Sequence, residues 1–321
     1  MRRWLVQTAV LFGVLFGVVV GGRLVLNQLL QHPAPRAVEA QERITTPATT
    51  AIPVAPSPTP LATVTLPDDR AAGLPRPTPP PARSTPSPTP TLPPHGQTAP
   101  VPILMYHYIR PKPANDPLGA ALSVDPETFA AQMDWLAAHG YTTLTLHELA
   151  EVRAGKIGLP PKPIVLTFDD GYRDFYTAAW PVLKRHGFKA TIFIITGVVG
   201  NPQYMTWDML RELDRSGLVE VGGHTVHHLD LTQLNASALE HEVADCKQTL
   251  ETQLGHPIAS FAYPAGRFNE TVVSAVQRAG FTLAVTTKPG WARATDPPLV
   301  LPRVRIQGDL SLAGFADILG S

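Results

Sequence analysis

Two short runs gather the side chains able to do hydrolytic chemistry. Asp169-Asp170-Gly171 follows the apolar run Ile164 to Phe168, and His224-Thr225-Val226-His227-His228 follows Val219-Glu220-Val221-Gly222-Gly223. A buried strand that delivers adjacent carboxylates is unstable unless they are paired or hold a cation. Asp-Asp-Gly is equally good turn chemistry, so by itself the motif leaves both readings open. His224 and His228 stand four apart, a spacing that puts two imidazoles on one face of a helical turn, where they can share a metal ion. A histidine-rich turn can also simply be solvated. Read together, the runs complete a two-histidine, one-carboxylate set of Asp170, His224 and His228, which leaves positions open for water and substrate. Asp169 then remains beside the metal as a general base. His227 is the extra histidine and falls to the rim or to solvent.

These runs need strand ends to present them. Strand-like stretches are Ile103–Tyr106, Ile164–Phe168, Thr191–Ile195, Val219–Gly222, Ser260–Tyr263 and Leu283–Thr286, with amphipathic helical patterns between them. Asp125-Pro126 opens one helix and Gly140 closes it. Capping boxes are expected at Thr145/Glu148 and at Ser237/Glu240, and helix C-caps at Gly187 and Gly255. Strands alternating with helices predict an α/β domain with a mainly parallel sheet, whose chemistry sits at the C-terminal strand ends. Cys246 is the only cysteine, so no intrachain disulfide forms; it is expected as a half-buried core residue in a helix spanning Glu240 to Leu254.

Three zones organise the chain. Arg2 and Arg3 precede an uncharged run from Trp4 to Gly22, long enough to cross a bilayer as a helix. Residues 1–30 are therefore expected as a membrane anchor with its N-terminal end in the cytoplasm, in preference to a cleaved signal that would release a secreted protein. Residues 31–100 form a Pro/Thr/Ser-rich stalk, with 17 of the chain's 35 prolines between Thr46 and Pro100. Such a segment favours extended polyproline geometry and lacks the apolar content to fold. The folded domain occupies 101–321. With 26 basic and 26 acidic residues the formal charge is zero, which argues against a nucleic-acid partner.

Thr167-Phe168-Asp169-Asp170-Gly171 and His224-Thr225-Val226-His227-His228 resemble the first two signatures of the NodB-homology polysaccharide deacetylases, also called carbohydrate esterase family four. The resemblance covers essentially all of Val101 to Ser321. It implies a distorted (β/α) barrel and removal of N-acetyl groups from a polysaccharide. It also implies one divalent ion, with zinc placed ahead of cobalt, nickel, iron or manganese. Asp169 resembles the base that deprotonates the attacking water, and Asp170, His224 and His228 resemble the metal ligands. The third signature departs from the commonest pattern: Phe261-Ala262-Tyr263-Pro264-Ala265-Gly266 lacks the family arginine. A backbone amide at Ala265 can still supply an oxyanion donor, with Tyr263 beside it on the substrate side. Arg303 is a candidate for the missing arginine, a surface salt bridge being its alternative.

The late Leu-x-His signature is also absent, since no histidine follows His256. Met105-Tyr106-His107, Phe261-Ala262-Tyr263-Pro264 and Leu301-Pro302-Arg303 resemble the subgroup that deacetylates poly-N-acetylglucosamine. His107 is thereby expected as general acid or substrate-binding histidine. Tyr172, with Tyr204 and Trp207, is a candidate to stack on sugar rings. The implied substrate is an extracellular N-acetylglucosamine polymer, exopolysaccharide ahead of peptidoglycan, acted on by a monomer at the outer face of the cell membrane. A catalytically inactive, metal-containing carbohydrate-binding module is the alternative that the altered signatures keep open.

Overall fold

The computed structural model describes residues 99–320. The expected anchor, and all but the last two residues of the expected stalk, lie outside the described residues. No helix among the described residues is long and apolar enough to cross a membrane.

Eight parallel strands build the main sheet: β1 (Ile103–Tyr106), β4 (Thr142–Leu144), β5 (Pro163–Phe168), β6 (Ala190–Ile194), β7 (Val219–Gly223), β8 (Ser260–Ala262), β9 (Leu283–Pro289) and β10 (Leu301–Arg305). A minor parallel pair, β2 (Tyr108–Ile109) and β3 (Ser123–Val124), lies apart from it. The sheet closes because β1 pairs with both β10 and β5. β4 pairs with the first half of β5, through Thr142–Pro163 to Leu144–Val165. β6 takes the second half at Thr167 and Phe168. The result is a seven-stranded barrel with β4 wedged beside its lower end, a distorted (β/α) barrel as the sequence implied.

Side-chain period 2 sorts each strand into two layers. Ile103, Val165, Phe193, Ala262, Leu283, Val285 and Leu301 share one apolar cluster with Leu144, Leu146 and Leu149. Leu104, Tyr106, Leu166, Phe168, Ile192, Ile194 and Phe261 join the larger cluster that packs on the helices. The first set fills the barrel, and the same parity carried past the strand ends turns His107, Asp169 and His224 inward at its mouth. Gly222 is required by this filling: a Cβ there would stand 2.7 Å from the Phe193 ring and 2.9 Å from the Ser260 carbonyl.

Local signals mostly act as read. Asp125 caps the helix Pro126–Ala138, the Thr145/Glu148 capping box is complete, and Gly187 and Gly255 close their helices in left-handed geometry. The box expected at Ser237/Glu240 does not form. Asn235 caps that helix from two residues earlier, its side chain accepting from the Ala238 amide, so Ser237 lies inside the first turn. Cys246 is fully rather than half buried, and burial pushes its thiol up to about 12. β4 and β10 were not read from the sequence. Thr142–Leu144 is only three residues long, and Leu301-Pro302-Arg303-Val304-Arg305 carries a proline and two charges where a buried strand normally has apolar residues.

Gly222→Ala is expected to destabilise the domain by about 1–3 kcal/mol through this overpacking. Thermal unfolding beside wild type measures it, and an unchanged transition would mean that Phe193 moves aside freely.

Candidate active site

β1, β5, β7 and β10 deliver the charged groups. Asp169 follows β5 directly, its amide bonded to the Tyr106 carbonyl of β1 at 3.0 Å. Arg303 reaches it from β10 as a two-pronged pair, Nη1 to Oδ1 and Nη2 to Oδ2, each at 2.7 Å. Two further guanidinium donors are used: Nε donates to the Thr286 carbonyl at 2.8 Å and Nη1 to Thr167 Oγ1 at 3.0 Å. The Thr167 hydroxyl in turn donates a hydrogen bond to the Leu104 carbonyl. Arg303 is only 1% exposed, which overturns the surface salt bridge left open for it. Burial by itself would raise the Asp169 carboxyl, but the charge and hydrogen bonds of Arg303 outweigh it and hold the group well below the usual carboxylate range. His107 Nε2 lies 3.8 Å from Asp169 Oδ2. Burial lowers the His107 pKa against the pull of both aspartates, so the ring is neutral at rest.

Asp170 faces the histidines. Its Oδ1 is buried without a hydrogen-bond partner, 3.3 Å from His224 Nε2 and 3.6 Å from His228 Nε2. His224 Nδ1 stands 2.7 Å from the Ala262 carbonyl at the end of β8. A carbonyl only accepts, so Nδ1 carries a hydrogen and Nε2 is the nitrogen that the ring, when neutral, offers as a lone pair on the Asp170 side. Donor atoms of Asp170, His224 and His228 all lie within 4.8 Å of one another. An orphaned carboxylate oxygen facing two imidazole nitrogens is the donor set that a divalent transition-metal ion accepts. The three residues therefore fit the ion that the sequence implied.

The histidines reach this arrangement by a route the spacing did not suggest. Residues 224–228 are a loop, not a helical turn. Thr225 (φ 69°) and His228 (φ 58°) are both left-handed, and Thr225 Oγ1 accepts from the His228 amide at 2.8 Å. Asp170 (φ 74°) and Ala265 (φ 50°) share this conformation, so among the described residues four of the five non-glycine residues with positive φ stand at the barrel mouth. Such backbone persists only where its surroundings over-determine it. At the third signature the turn also needs glycine: Gly266 (φ 68°) would place a Cβ 2.0 Å from Thr287 Oγ1.

One expected substrate-side residue is corrected, and a second is engaged by neighbouring tyrosines. Tyr263 is fully buried in the outer apolar layer, and its phenol donates to the Leu299 carbonyl at 2.9 Å, so its side chain meets no substrate. Tyr172 is half-buried in a tyrosine stack, with Tyr108 at 3.7 Å between centroids and Tyr204 at 5.2 Å. Burial, then the Asp170 charge, raises the Tyr172 phenol far above its ordinary value, and it stays protonated beside that carboxylate. Trp207 packs against the core. His227 is exposed, as read, but its Nδ1 is 2.7 Å from buried Glu242.

Sequence reasoning missed Glu242. Its Oε2 accepts the amides of Val226 (3.1 Å) and His227 (2.8 Å), clamping the loop that carries both histidines. Only its place in the π-helical turn His241–Asp245, packed beside that loop, reveals this, and no motif marks it.

The polysaccharide deacetylase family profile matches residues 156–284. YxkH of Bacillus subtilis (strain 168) is 35% identical over 223 residues, 70% of this chain and 77% of that protein. The Streptococcus pyogenes deacetylase PplD, solved in complex with acetate, superposes with a TM-score of 0.65 at 32% identity. That alignment covers 70% of this chain and 100% of the other. This chain belongs to the polysaccharide deacetylase family. The poly-beta-1,6-N-acetyl-D-glucosamine N-deacetylase of Staphylococcus aureus (strain MSSA476) is 28% identical over 201 residues, 58% of this chain and 69% of that one. In this deacetylase the family arginine is missing from the third signature, and a guanidinium stands against the first-signature aspartate from β10 instead.

Arg303→Met is expected to leave Asp169 as an unpaired buried charge and to cost about 3–5 kcal/mol at neutral pH. The sign with pH follows from the depressed Asp169 pKa. Wild type has the full contribution above the ordinary carboxylate range and loses it as pH falls through and below that range. The variant lacks that contribution, so the two stability curves converge on acidification. Chemical denaturation at neutral pH and near pH 3 reads the difference, and a gap independent of pH would contradict the assignment.

Proposed function

We propose that this deacetylase removes N-acetyl groups from an N-acetylglucosamine polymer outside the cell, with a divalent ion held by Asp170, His224 and His228. The carrying observation is the pairing, within one barrel mouth, of that three-residue donor set with an ionised Asp169. A divalent cation bound there would withdraw electron density from the acetyl carbonyl and from the attacking water. Zinc heads the candidates, because two imidazoles with one carboxylate suit it.

This chain's own groups then move the protons. Water adds to the acetyl carbon, its proton going to Asp169, the carbon–nitrogen bond breaks, and the amine takes up a proton as acetate leaves. Arg303 keeps Asp169 ionised and therefore a poor resting place for that proton. His107, 3.8 Å away, is placed to take that proton from Asp169 and pass it to the leaving nitrogen. The distance exceeds a hydrogen bond, as is common before substrate tightens a site. The backbone amide of Ala265 is assigned to the oxyanion, a role that survives the loss of an aromatic side chain there.

Substrate choice rests on Met105-Tyr106-His107 and the Arg303 arrangement, together with the likeness to the Staphylococcus aureus enzyme, whose name gives a β-1,6-linked polymer. Residues 1–30 are proposed to hold a monomeric catalytic domain at the outer membrane face on the stalk of 31–100. What supports this is the uncharged run after Arg2 and Arg3.

The first test is acetate release from β-1,6-linked N-acetylglucosamine oligomers by the zinc-loaded full chain. Asp169→Asn, and separately chelation, should each lower the rate by at least about 100-fold, the scale of a lost general base. Release only from peptidoglycan would move the substrate assignment. Zinc bound without release from either polymer would make the chain a sugar-binding module.

His107→Ala is expected to lower kcat by about 100-fold or more while zinc content stays at the wild-type level. Full turnover in that variant would remove His107 from the proton path.

A further inference from the structure

A second cluster of metal-binding side chains lies outside the catalytic set. His227 and His241 are about half exposed, at 54% and 53%, whereas Glu242 beneath them is 2% exposed. Glu242 Oε1 faces His227 Nδ1 at 2.7 Å, and Asp245 Oδ2 is hydrogen-bonded to His241 Nδ1. An ionised carboxylate only accepts, so both Nδ1 atoms carry hydrogen, which leaves Nε2 of each ring as its ligand atom for a metal. This is the second-layer pattern that fixes the tautomer of metal-binding histidines and raises their basicity.

The spacing suits one ion. The two rings lie 5.9 Å apart between centroids and are tilted by 35°. Imidazoles binding one tetrahedral zinc at about 2.0–2.1 Å have ring centres roughly 5–6 Å apart. One donor atom from each of His227, His241 and Glu242 lies within 4.8 Å of the other two. The exposed side leaves water free to complete the shell. Neutral imidazole donors select zinc or nickel over magnesium and calcium, which want oxygen.

We propose that His227 and His241, set by Glu242 and Asp245, form a second site for zinc or nickel, separate from Asp170, His224 and His228. An ion there ties the helical segment of His241 to the loop that presents His224 and His228. The site depends on no assumption about the polymer substrate.

Equilibrium dialysis of the chelator-stripped full chain against zinc, with metal counted by mass spectrometry, tests it. Wild type is expected to bind two equivalents that His241→Ala reduces to one, with unchanged circular dichroism. Asp170→Asn should lose the other equivalent and keep the one that His241→Ala removes. Asp245→Asn should weaken the second equivalent by about 10–100-fold, the usual effect of removing such a supporting carboxylate. Magnesium should not compete for it. Saturation of wild type at one equivalent, or two equivalents retained in His241→Ala, would overturn the site. A second equivalent of unchanged affinity in Asp245→Asn would equally overturn it.

Discussion

The buried pair of Arg303 and Asp169 is the constraint around which the barrel mouth is arranged. Two charges removed from water are tolerated only when geometry is good and further hydrogen bonds engage the remaining donors. Here the guanidinium meets both carboxylate oxygens, the Thr286 carbonyl and Thr167 Oγ1. Those partners come from β5 and β9, so one side chain of β10 ties together strands that are distant in sequence. The same contact keeps Asp169 ionised in a place where burial would otherwise neutralise it. Packing and chemistry are thus one requirement at this point of the fold.

Asp169 and Asp170 are adjacent in the chain and serve opposite neighbours. Asp169 keeps the inward parity of β5 and points to Arg303 and His107. Asp170 turns into left-handed backbone and points to His224 and His228. A single change of backbone region therefore separates a proton-handling carboxylate from a metal-ligating one. The histidine loop is shaped in the same manner, through Thr225 and His228, and Glu242 holds it from outside the barrel. A mouth built from strained backbone keeps its geometry only because the parallel strands below it are rigid and fully packed.

The site's third signature shows how a departure in sequence can preserve an arrangement. Ala262 stands where the family's commoner pattern has arginine, yet its carbonyl is used to orient His224. The positive charge comes from β10 instead. Substituting the supporting group from another strand is feasible in a closed barrel because all C-terminal strand ends converge on one ring.

The sequence by itself determined an α/β domain with a mainly parallel sheet, most strand positions, the caps at Asp125 and Thr145, and the grouping of Asp169, Asp170, His224 and His228, while closure into a barrel was implied by the family resemblance. These are properties of local period, of capping chemistry and of short motifs, all written in contiguous residues. It also pointed to His107 and Arg303 by resemblance, while leaving open whether Arg303 was buried. Only the tertiary structure decided that Arg303 clamps Asp169, since 134 residues separate them and closure of β1 onto β5 and β10 brings them together. Only it removed Tyr263 from the substrate surface and set Tyr172 in a tyrosine stack, because an aromatic ring's availability depends on what covers its faces. It likewise replaced the helical turn read from the His224–His228 spacing by a left-handed loop, and disclosed Glu242 beneath it. Spacing along a chain reports which residues can meet on a regular element; where the backbone leaves regular geometry, long-range contacts choose the conformation.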